Sequence, residues 1–152
     1  MNNKSLYQII LIISLICLIF SVVIYFEKAQ YASGHGGICS AITGSNGCEI
    51  VQTSSYGKMF GISNSLYGIV GFMILGIFSL ISIKKNNKII NYLTIAGGII
   101  AGAIALLLLY IQAFVLHTYC IFCLMIDISS LILLGLAIYL LIKINSRHSR
   151  HK

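Results

Sequence analysis

The chain has 152 residues, of which 59% are hydrophobic and only 9% are charged, and its formal net charge is +7. Soluble domains are closer to half apolar and a quarter charged, so this composition argues against a soluble protein and indicates an integral membrane protein. The basic residues form short clusters without interleaved aromatic residues. We therefore expect membrane lipid around the chain and no nucleic-acid partner.

Four apolar stretches are long enough to cross a bilayer, which needs about 20 residues per helix. In chain order they cover residues 6–26, 65–83, 89–114 and 121–142. They predict an all-α integral membrane protein in which a bundle of four transmembrane helices forms a single domain, residues 1–152. The first stretch is longer than the ~7–15 apolar residues of a signal peptide, so we expect it to be retained.

Lysine and arginine are distributed unequally between the connecting segments. The connection between the first two stretches is neutral, and the connection between the last two has no Lys or Arg. The remaining connection and the C-terminal tail are basic, with Lys84, Lys85, Lys88, Lys143, Arg147, Arg150 and Lys152. Because cytoplasmic loops carry the excess of Lys and Arg, we predict a multi-pass cell-membrane protein with both termini in the cytoplasm. Residues 27–64 and the start of the fourth stretch then face outward.

The predicted external segment, residues 27–64, is rich in Gly, Ser, Thr and Asn and is expected to be mostly loop. One short helix is predicted within it, because Asn46 suits an N-cap and Glu49 three residues later completes a capping box. This helix would end at Gly57. Cys48 falls in its first turn, where exposed backbone N–H groups and the helix dipole favour a thiolate.

Glycines recur inside the second and third apolar stretches, at Gly68, Gly71, Gly76, Gly98 and Gly102. Small residues let membrane helices approach one another closely. We therefore interpret these glycines as helix-packing positions rather than as ligand contacts.

Five cysteines are present. Cys17 lies in the middle of the first stretch, where a small buried apolar residue is expected. Cys39, Cys48, Cys120 and Cys123 all map to the outer face, and three interpretations of them stay open. They can form structural disulfides, or they can bind zinc through four cysteine ligands. A C-x-x-C at a helix N-terminus also suits thiol–disulfide exchange.

Other ionisable residues lie near these cysteines. Asp127 follows Cys123 by one helical turn, and an acid inside a span is a functional candidate, here for proton delivery. Hydrogen bonding to a neighbouring helix explains Asp127 equally well. His117 precedes the C-x-x-C by three residues and is expected to be a surface residue. We expect the other histidines to be solvated: His35, His148 and His151.

Further motifs agree with the cysteine spacing. Ser54 follows Cys48 by six residues, the C-x-x-C is "CIFC", and "GISNSLYG" (61–68) leads into the second stretch. Together with the loop pair, this set resembles the vitamin K epoxide reductase family over nearly the whole chain. Members of that family have a four-helix membrane fold, two loop cysteines and a C-x-x-C at the outer end of the last helix.

The resemblance implies an enzyme that couples disulfide formation to quinone reduction. A separate thioredoxin-like thiol oxidoreductase would deliver electrons to Cys39, which then pass through Cys48 and Cys120. Cys123 would face a membrane quinone of the menaquinone, ubiquinone or phylloquinone type. The partner is expected to be separate because the chain ends at Lys152 without a fused thioredoxin-like domain, and we expect a monomer.

The resemblance also assigns residues around the quinone. Asn64 would donate a hydrogen bond to a quinone oxygen, and Ser54 would polarise the ring or hold the short helix in place. Asp127 stands where vertebrate members have a quinone-contacting tyrosine. The non-enzymatic alternative is a metal-binding or structural membrane protein whose four outer cysteines hold zinc.

Overall fold

A computed structural model of the chain describes residues 3–33, 37–43, 46–59, 61–85 and 87–149. Four long helices account for most of this part: α1 (Asn3–Ala32), α4 (Asn64–Lys84), α5 (Lys88–Tyr110) and α6 (Ile121–Ser149). Each is long and apolar enough to cross a membrane. The fold is therefore an all-α bundle of four membrane-spanning helices, as the sequence predicts.

Two of the long helices run past the predicted apolar stretches. Helix α1 continues to Ala32, beyond the predicted end at residue 26, and α6 continues to Ser149. The residues that extend α1 are "EKAQYA", most of which favour helix. Their polarity ends the apolar stretch, but it does not end the helix.

The bundle is held together by neighbouring pairs of helices. Helix α1 packs mainly against α4, and α5 packs mainly against α6; α4 with α5 and α1 with α6 close the arrangement. The core contains Leu6, Tyr7, Ile10, Cys17, Phe72, Leu75, Ile95, Leu133, Ala137 and Leu140. Large apolar side chains such as Ile19, Ile77 and Ile142 point outward, as expected of helices surrounded by lipid.

Glycines allow α5 to approach α6 closely. A Cβ added at Gly98 would lie 3.0 Å from Ala137 Cβ, and one added at Gly102 would lie 2.5 Å from Leu134 Cβ. The packing interpretation is confirmed for these two glycines. It is wrong for Gly71, where an added Cβ meets none of the described residues within 4 Å.

We expect Gly102→Ala to destabilise the bundle by about 1–3 kcal/mol, because the added methyl group meets Leu134 Cβ, which no rotamer change can move, so the two helices must shift apart. Gly71→Ala is the matched control, since alanine fits there and favours helix by up to about 1 kcal/mol. Thermal unfolding in detergent, followed by circular dichroism, measures both effects. Equal midpoints for the two variants would contradict the packing role of Gly102.

The segment between α1 and α4 is more ordered than predicted. It forms α2 (Ile38–Thr43), α3 (Gly47–Thr53), a 3₁₀ turn (Ser55–Gly57) and an antiparallel pair of short strands. In these strands, β1 (Lys58–Met59) and β2 (Ile62–Ser63), Lys58 pairs with Ser63 and Met59 with Ile62. Gly61 in the connecting turn has φ +80°, a value that glycine adopts without steric cost.

The short elements lie over the end of the bundle at which α1 ends and α4 and α6 begin. Helix α3 packs against α1 and α6, and Lys28 Nζ of α1 donates a hydrogen bond to the Gly57 carbonyl at 3.1 Å. The predicted helix at Cys48 is confirmed, but it ends at Thr53 rather than at Gly57, and its capping box is not confirmed. Asn46 occupies the N-cap position of α3 without a capping hydrogen bond from its side chain.

Candidate functional site

The four cysteines predicted on the outer face form one cluster beneath the short helices. Cys39 in α2, Cys48 in α3 and Cys120 just before α6 are all buried, and their sulfurs lie within 4.8 Å of one another. The Cys123 sulfur lies 2.7 Å from that of Cys120. Cys17 is separate from this cluster and packs in the bundle core, as predicted.

The two cysteine pairs are in different bonding states. Cys39 and Cys48 form a disulfide with Cα atoms 6.2 Å apart. Cys120 and Cys123 are not disulfide-bonded; the Cys123 thiol donates a hydrogen bond to the Cys120 sulfur. A zinc site of four cysteines needs four thiolates, whereas a disulfide beside a dithiol is the arrangement in which exchange takes place. The geometry therefore favours the redox interpretation.

The outer cysteines are more enclosed than a predominantly loop segment predicts. Cys39 is fully buried in the first turn of α2. Cys120 is fully buried as well, whereas Cys123 is only half-buried. The cause in both cases is the layer of short helices, which covers the cysteines from above.

Gly47 allows α3 to lie directly against the chain segment that leads into α6. A Cβ added at Gly47 would lie 2.6 Å from the Tyr119 carbonyl oxygen. Gly47 precedes Cys48, and Tyr119 precedes Cys120. The close approach of these two backbone segments is therefore what brings Cys48 and Cys120 together.

Cys120 occupies the N-cap position of α6. Its sulfur accepts the backbone N–H of Cys123 at 3.3 Å, as an N-cap side chain does. The pKa of the Cys120 thiol is lowered from its ordinary value, chiefly by the hydrogen bond from the Cys123 side chain; burial acts in the opposite direction, and backbone N–H groups and Gln52 lower it further. Cys120 is thus suited to react as a thiolate.

Gln52 of α3 acts on the Cys120 thiol from a different helix. It is buried, and neither polar atom of its amide has a hydrogen-bond partner of ordinary geometry among the described residues. The amide lies close enough to the Cys120 sulfur to stabilise its thiolate. Gln52 was not among the site residues predicted from the sequence.

We expect Gln52→Met, which keeps the length of the side chain but removes its donor, to raise the pKa of Cys120. Below that pKa fewer Cys120 thiolates are present. Attack of Cys120 on the Cys39–Cys48 disulfide at neutral pH should therefore slow down about three- to tenfold, the response to a pKa shift of up to about one unit. The pH–rate profile of exchange should move to higher pH. Gln52→Glu should move the profile further in the same direction, because a nearby carboxylate disfavours the thiolate even more than loss of the amide does. An unchanged profile in both variants would contradict this role.

Asp127 and Gln112 form a buried link to the same cysteine. Gln112 Nε2 donates to Asp127 Oδ2 at 3.0 Å, and Gln112 Oε1 accepts the Cys120 backbone N–H at 3.2 Å. Gln112 lies in a π-helical turn, Ile111–Val115, that ends α5; such turns are frequent at functional sites. Asp127 therefore makes the hydrogen bond to a neighbouring helix that was one of its two predicted roles, and it helps to fix the position of Cys120.

Ser54 and Asn64 lie at the edge of the layer. Ser54 Oγ donates to the Val51 carbonyl at 2.8 Å and accepts the Gly57 N–H at 3.2 Å. It therefore joins α3 to the 3₁₀ turn, as one of its predicted roles requires. Asn64 begins α4, and its Nδ2 donates one hydrogen bond to the Tyr56 carbonyl at 2.8 Å. An amide nitrogen carries a second hydrogen that can serve another acceptor.

His117 lies in the turn that leads to Cys120. It is exposed, as predicted, and has φ +48°, a backbone conformation uncommon for residues other than glycine. His35 and His151 lie outside the described residues, as does the side chain of His148. Glu27 of α1 was not predicted as a site residue either, although it is buried and accepts the Cys39 N–H.

A helical bundle that spans a membrane and holds a disulfide beside a dithiol defines a class of membrane redox protein. Comparison with protein families matches residues 8–138 to the vitamin K epoxide reductase family. The chain belongs to that family, whose members are membrane oxidoreductases. Comparison with the curated proteins gives no significant match.

Proposed function

We propose that this protein is a membrane thiol:quinone oxidoreductase that supports disulfide formation outside the cytoplasm. A single observation carries the proposal: the sulfurs of Cys39, Cys48 and Cys120 lie within 4.8 Å of one another, and Cys123 adjoins Cys120. Exchange between pairs requires a thiolate to reach a disulfide sulfur. At these separations small movements within the cluster are enough for electrons to pass from one pair to the other.

The proposed relay conserves electrons and protons at each step. A partner dithiol reduces the Cys39–Cys48 disulfide and becomes oxidised. The Cys48 thiolate then attacks Cys120 of an oxidised C-x-x-C, releasing Cys123 as a thiolate. Cys39 attacks Cys48 in this mixed disulfide and releases Cys120. The dithiol Cys120–Cys123 finally gives up two electrons and two protons, becoming a disulfide. The bonding pattern in the structure corresponds to the state between the last two steps.

A quinone would act as the acceptor of these two electrons and two protons. The residues beside Cys123 fit such a group, because Cys123 is half-buried and the Phe20 and Phe122 rings, 6.1 Å apart, form an aromatic wall next to the C-x-x-C. The second amide hydrogen of Asn64 is suited to a quinone oxygen, where charge develops on reduction. Ser54 would support this site by stabilising the 3₁₀ turn that precedes α4. Asp127 would support it by holding Gln112, which accepts the Cys120 backbone N–H.

We infer that the electron donor is a separate thioredoxin-like protein on the extracytoplasmic face. Because the Cys39–Cys48 disulfide is buried beneath α2 and α3, these short helices must part to admit the donor thiol. We further propose that residues 1–152 form one monomeric domain in the cell membrane, with both termini in the cytoplasm.

The direct test is anaerobic mixing of the fully reduced protein with menaquinone and ubiquinone analogues while quinol formation is followed by absorbance. We expect two quinols per protein, one from the Cys39–Cys48 dithiol and one from the Cys120–Cys123 dithiol. The variant Cys120→Ala, Cys123→Ala is the control and should form none. Absence of quinol with either analogue, or a stoichiometric zinc that protects all four cysteines from alkylation, would contradict the proposal.

The topology is tested separately with single cysteines introduced at two exposed lysines. We expect Lys58→Cys to react with a membrane-impermeant maleimide on intact cells, because Lys58 is exposed in the layer that we propose faces outward. Lys85→Cys, between α4 and α5, should react only after lysis. The unsubstituted protein gives the background of its own buried cysteines. The reverse pattern would overturn the orientation.

A further inference from the structure

Glu27 is a buried carboxylate at the cysteine cluster that the relay described above does not use. It lies near the end of α1 and only 1% of its surface is exposed. Its Oε1 accepts the backbone N–H of Cys39 at 2.6 Å. Its Oε2 is buried as well, and has no hydrogen-bond partner in the part of the chain that the structure describes.

A structural role accounts for only one of these oxygens. By accepting the Cys39 N–H, Glu27 ties α2 to α1 and satisfies a donor in the first turn of that helix. A glutamine would make the same hydrogen bond through its amide oxygen without placing a charge in the interior. An ionised carboxylate that is buried without a full set of partners is costly. The second oxygen therefore calls for another explanation.

Glu27 interacts with both Cys39 and Cys123, the first and the last cysteine of the proposed relay. Through Oε1 it contacts the backbone of Cys39, and its carboxylate also interacts electrostatically with the Cys123 thiol. Asp127 interacts with Cys123 too, but its Oδ2 accepts a hydrogen bond from Gln112. Of these two acids, Glu27 is the one hydrogen-bonded to the residue that begins the relay.

The exchange between the pairs requires a proton to move between the same two cysteines. When Cys48 attacks Cys120, the Cys120–Cys123 bond breaks and Cys123 leaves as a thiolate that must gain a proton. When Cys39 attacks Cys48, the Cys39 thiol must lose its proton before the new sulfur–sulfur bond forms. Cys39, Cys48 and Cys120 are buried and Cys123 is half-buried, so bulk water has little access to the cluster. A buried carboxylate that contacts the Cys39 backbone and lies within electrostatic range of Cys123 can carry this proton.

We propose that Glu27 is the proton carrier of the internal exchange, taking the proton of the Cys39 thiol and supplying one to the Cys123 thiolate. This inference rests on the proposed function and adds to it a residue and a step. One sulfur–sulfur bond breaks and one forms, electrons pass from Cys39 and Cys48 to Cys120 and Cys123, and the Glu27 carboxylate returns to its starting state.

The two-phase oxidation of the reduced protein by quinone isolates this step. The first quinol forms from Cys120 and Cys123 directly, whereas the second needs internal exchange from Cys39 and Cys48. Glu27→Gln keeps the acceptor for the Cys39 N–H but cannot carry a proton. We expect its first phase to match the unsubstituted protein and its second to be about 100-fold slower, within the range for loss of general acid–base catalysis.

Two further variants separate proton transfer from positioning. Glu27→Asp keeps a carboxylate on a shorter side chain, and we expect it to recover at least about tenfold of the second-phase rate lost in Glu27→Gln. Glu49→Gln makes the same chemical change at an exposed acid of α3 and should leave both phases unchanged.

The outcomes distinguish this inference from the proposed function. If the unsubstituted protein forms no quinol, the proposed function fails. If it forms two quinols and Glu27→Gln matches it in both phases, Glu27 does not carry the proton. Equal slowing in Glu27→Gln and Glu27→Asp would show a positioning role and overturn the inference. Slowing of both phases with a lowered unfolding temperature would do the same.

Discussion

Replacing Cys123 by alanine is expected to abolish quinone reduction, whereas replacing Cys39 by alanine is expected to block the thiol partner and spare the quinone step. Cys123 is the half-buried member of the C-x-x-C and follows Phe122, whose ring packs against that of Phe20. Its loss should lower the rate by about a thousandfold or more, as loss of a nucleophile does. Cys39 lies at the other end of the relay, bonded to Cys48.

A small chemical dithiol distinguishes the two variants. In Cys39→Ala it can reduce the Cys120–Cys123 disulfide directly, so quinol formation should continue with this reductant and fail with a thioredoxin-like donor. In Cys123→Ala neither reductant should support it. Cys17→Ala, which removes a buried thiol outside the cluster, is the control and should keep both activities. Equal loss of both activities in Cys39→Ala and Cys123→Ala, with folding intact, would contradict the proposed order of the relay.

The four membrane helices were predictable because their signal is local. About 20 consecutive apolar residues fit the bilayer regardless of what the rest of the chain does. The layer between α1 and α4 has no such signal. Helix α2 has six residues, too few to be stable alone, and it forms because packing buries Cys39. The capping motif at Asn46 was a local signal as well, but tertiary contacts of Gly47 determine how α3 begins.

The cysteine cluster was predictable in its members but not in its surroundings. Spacing alone groups Cys120 with Cys123, and topology places the loop pair on the same face. Glu27, Gln52 and Gln112 come from three different elements, and no spacing relates them. Gln112 had one detectable signal, because it is a lone amide at the end of an apolar stretch. Glu27 resembled the polar end of a span, and only the continuation of α1 brings it beneath α2.

We also predict that a disulfide between Cys48 and Cys120 can be trapped. Exchange between pairs passes through a mixed disulfide, and these two cysteines are the inner members of the proposed relay. In the variant Cys39→Ala, Cys123→Ala neither end of the mixed disulfide has a resolving thiol. The Cys48–Cys120 bond should therefore accumulate under oxidising conditions as the main species. Mass spectrometry of the digested protein detects the linked peptides directly.

Adding Gly47→Ala to that variant tests the geometry behind the trapped bond. The Cα atoms of two bonded cysteines must lie within about 7 Å of each other, and Gly47 permits this approach because a methyl group there would lie 2.6 Å from the Tyr119 carbonyl oxygen. The carbonyl belongs to the backbone, so it cannot turn aside as a flexible side chain does, and α3 must move away from Cys120. We expect the yield of the linked peptides to fall at least about tenfold, the result of an opposing free energy of about 1.4 kcal/mol.

Gly71→Ala in the same variant is the control and should leave the yield unchanged. If Cys48 and Cys120 stay unlinked even with glycine at 47, the inner members of the relay are wrongly assigned, whereas an undiminished yield in Gly47→Ala would show that α3 is not held by this contact.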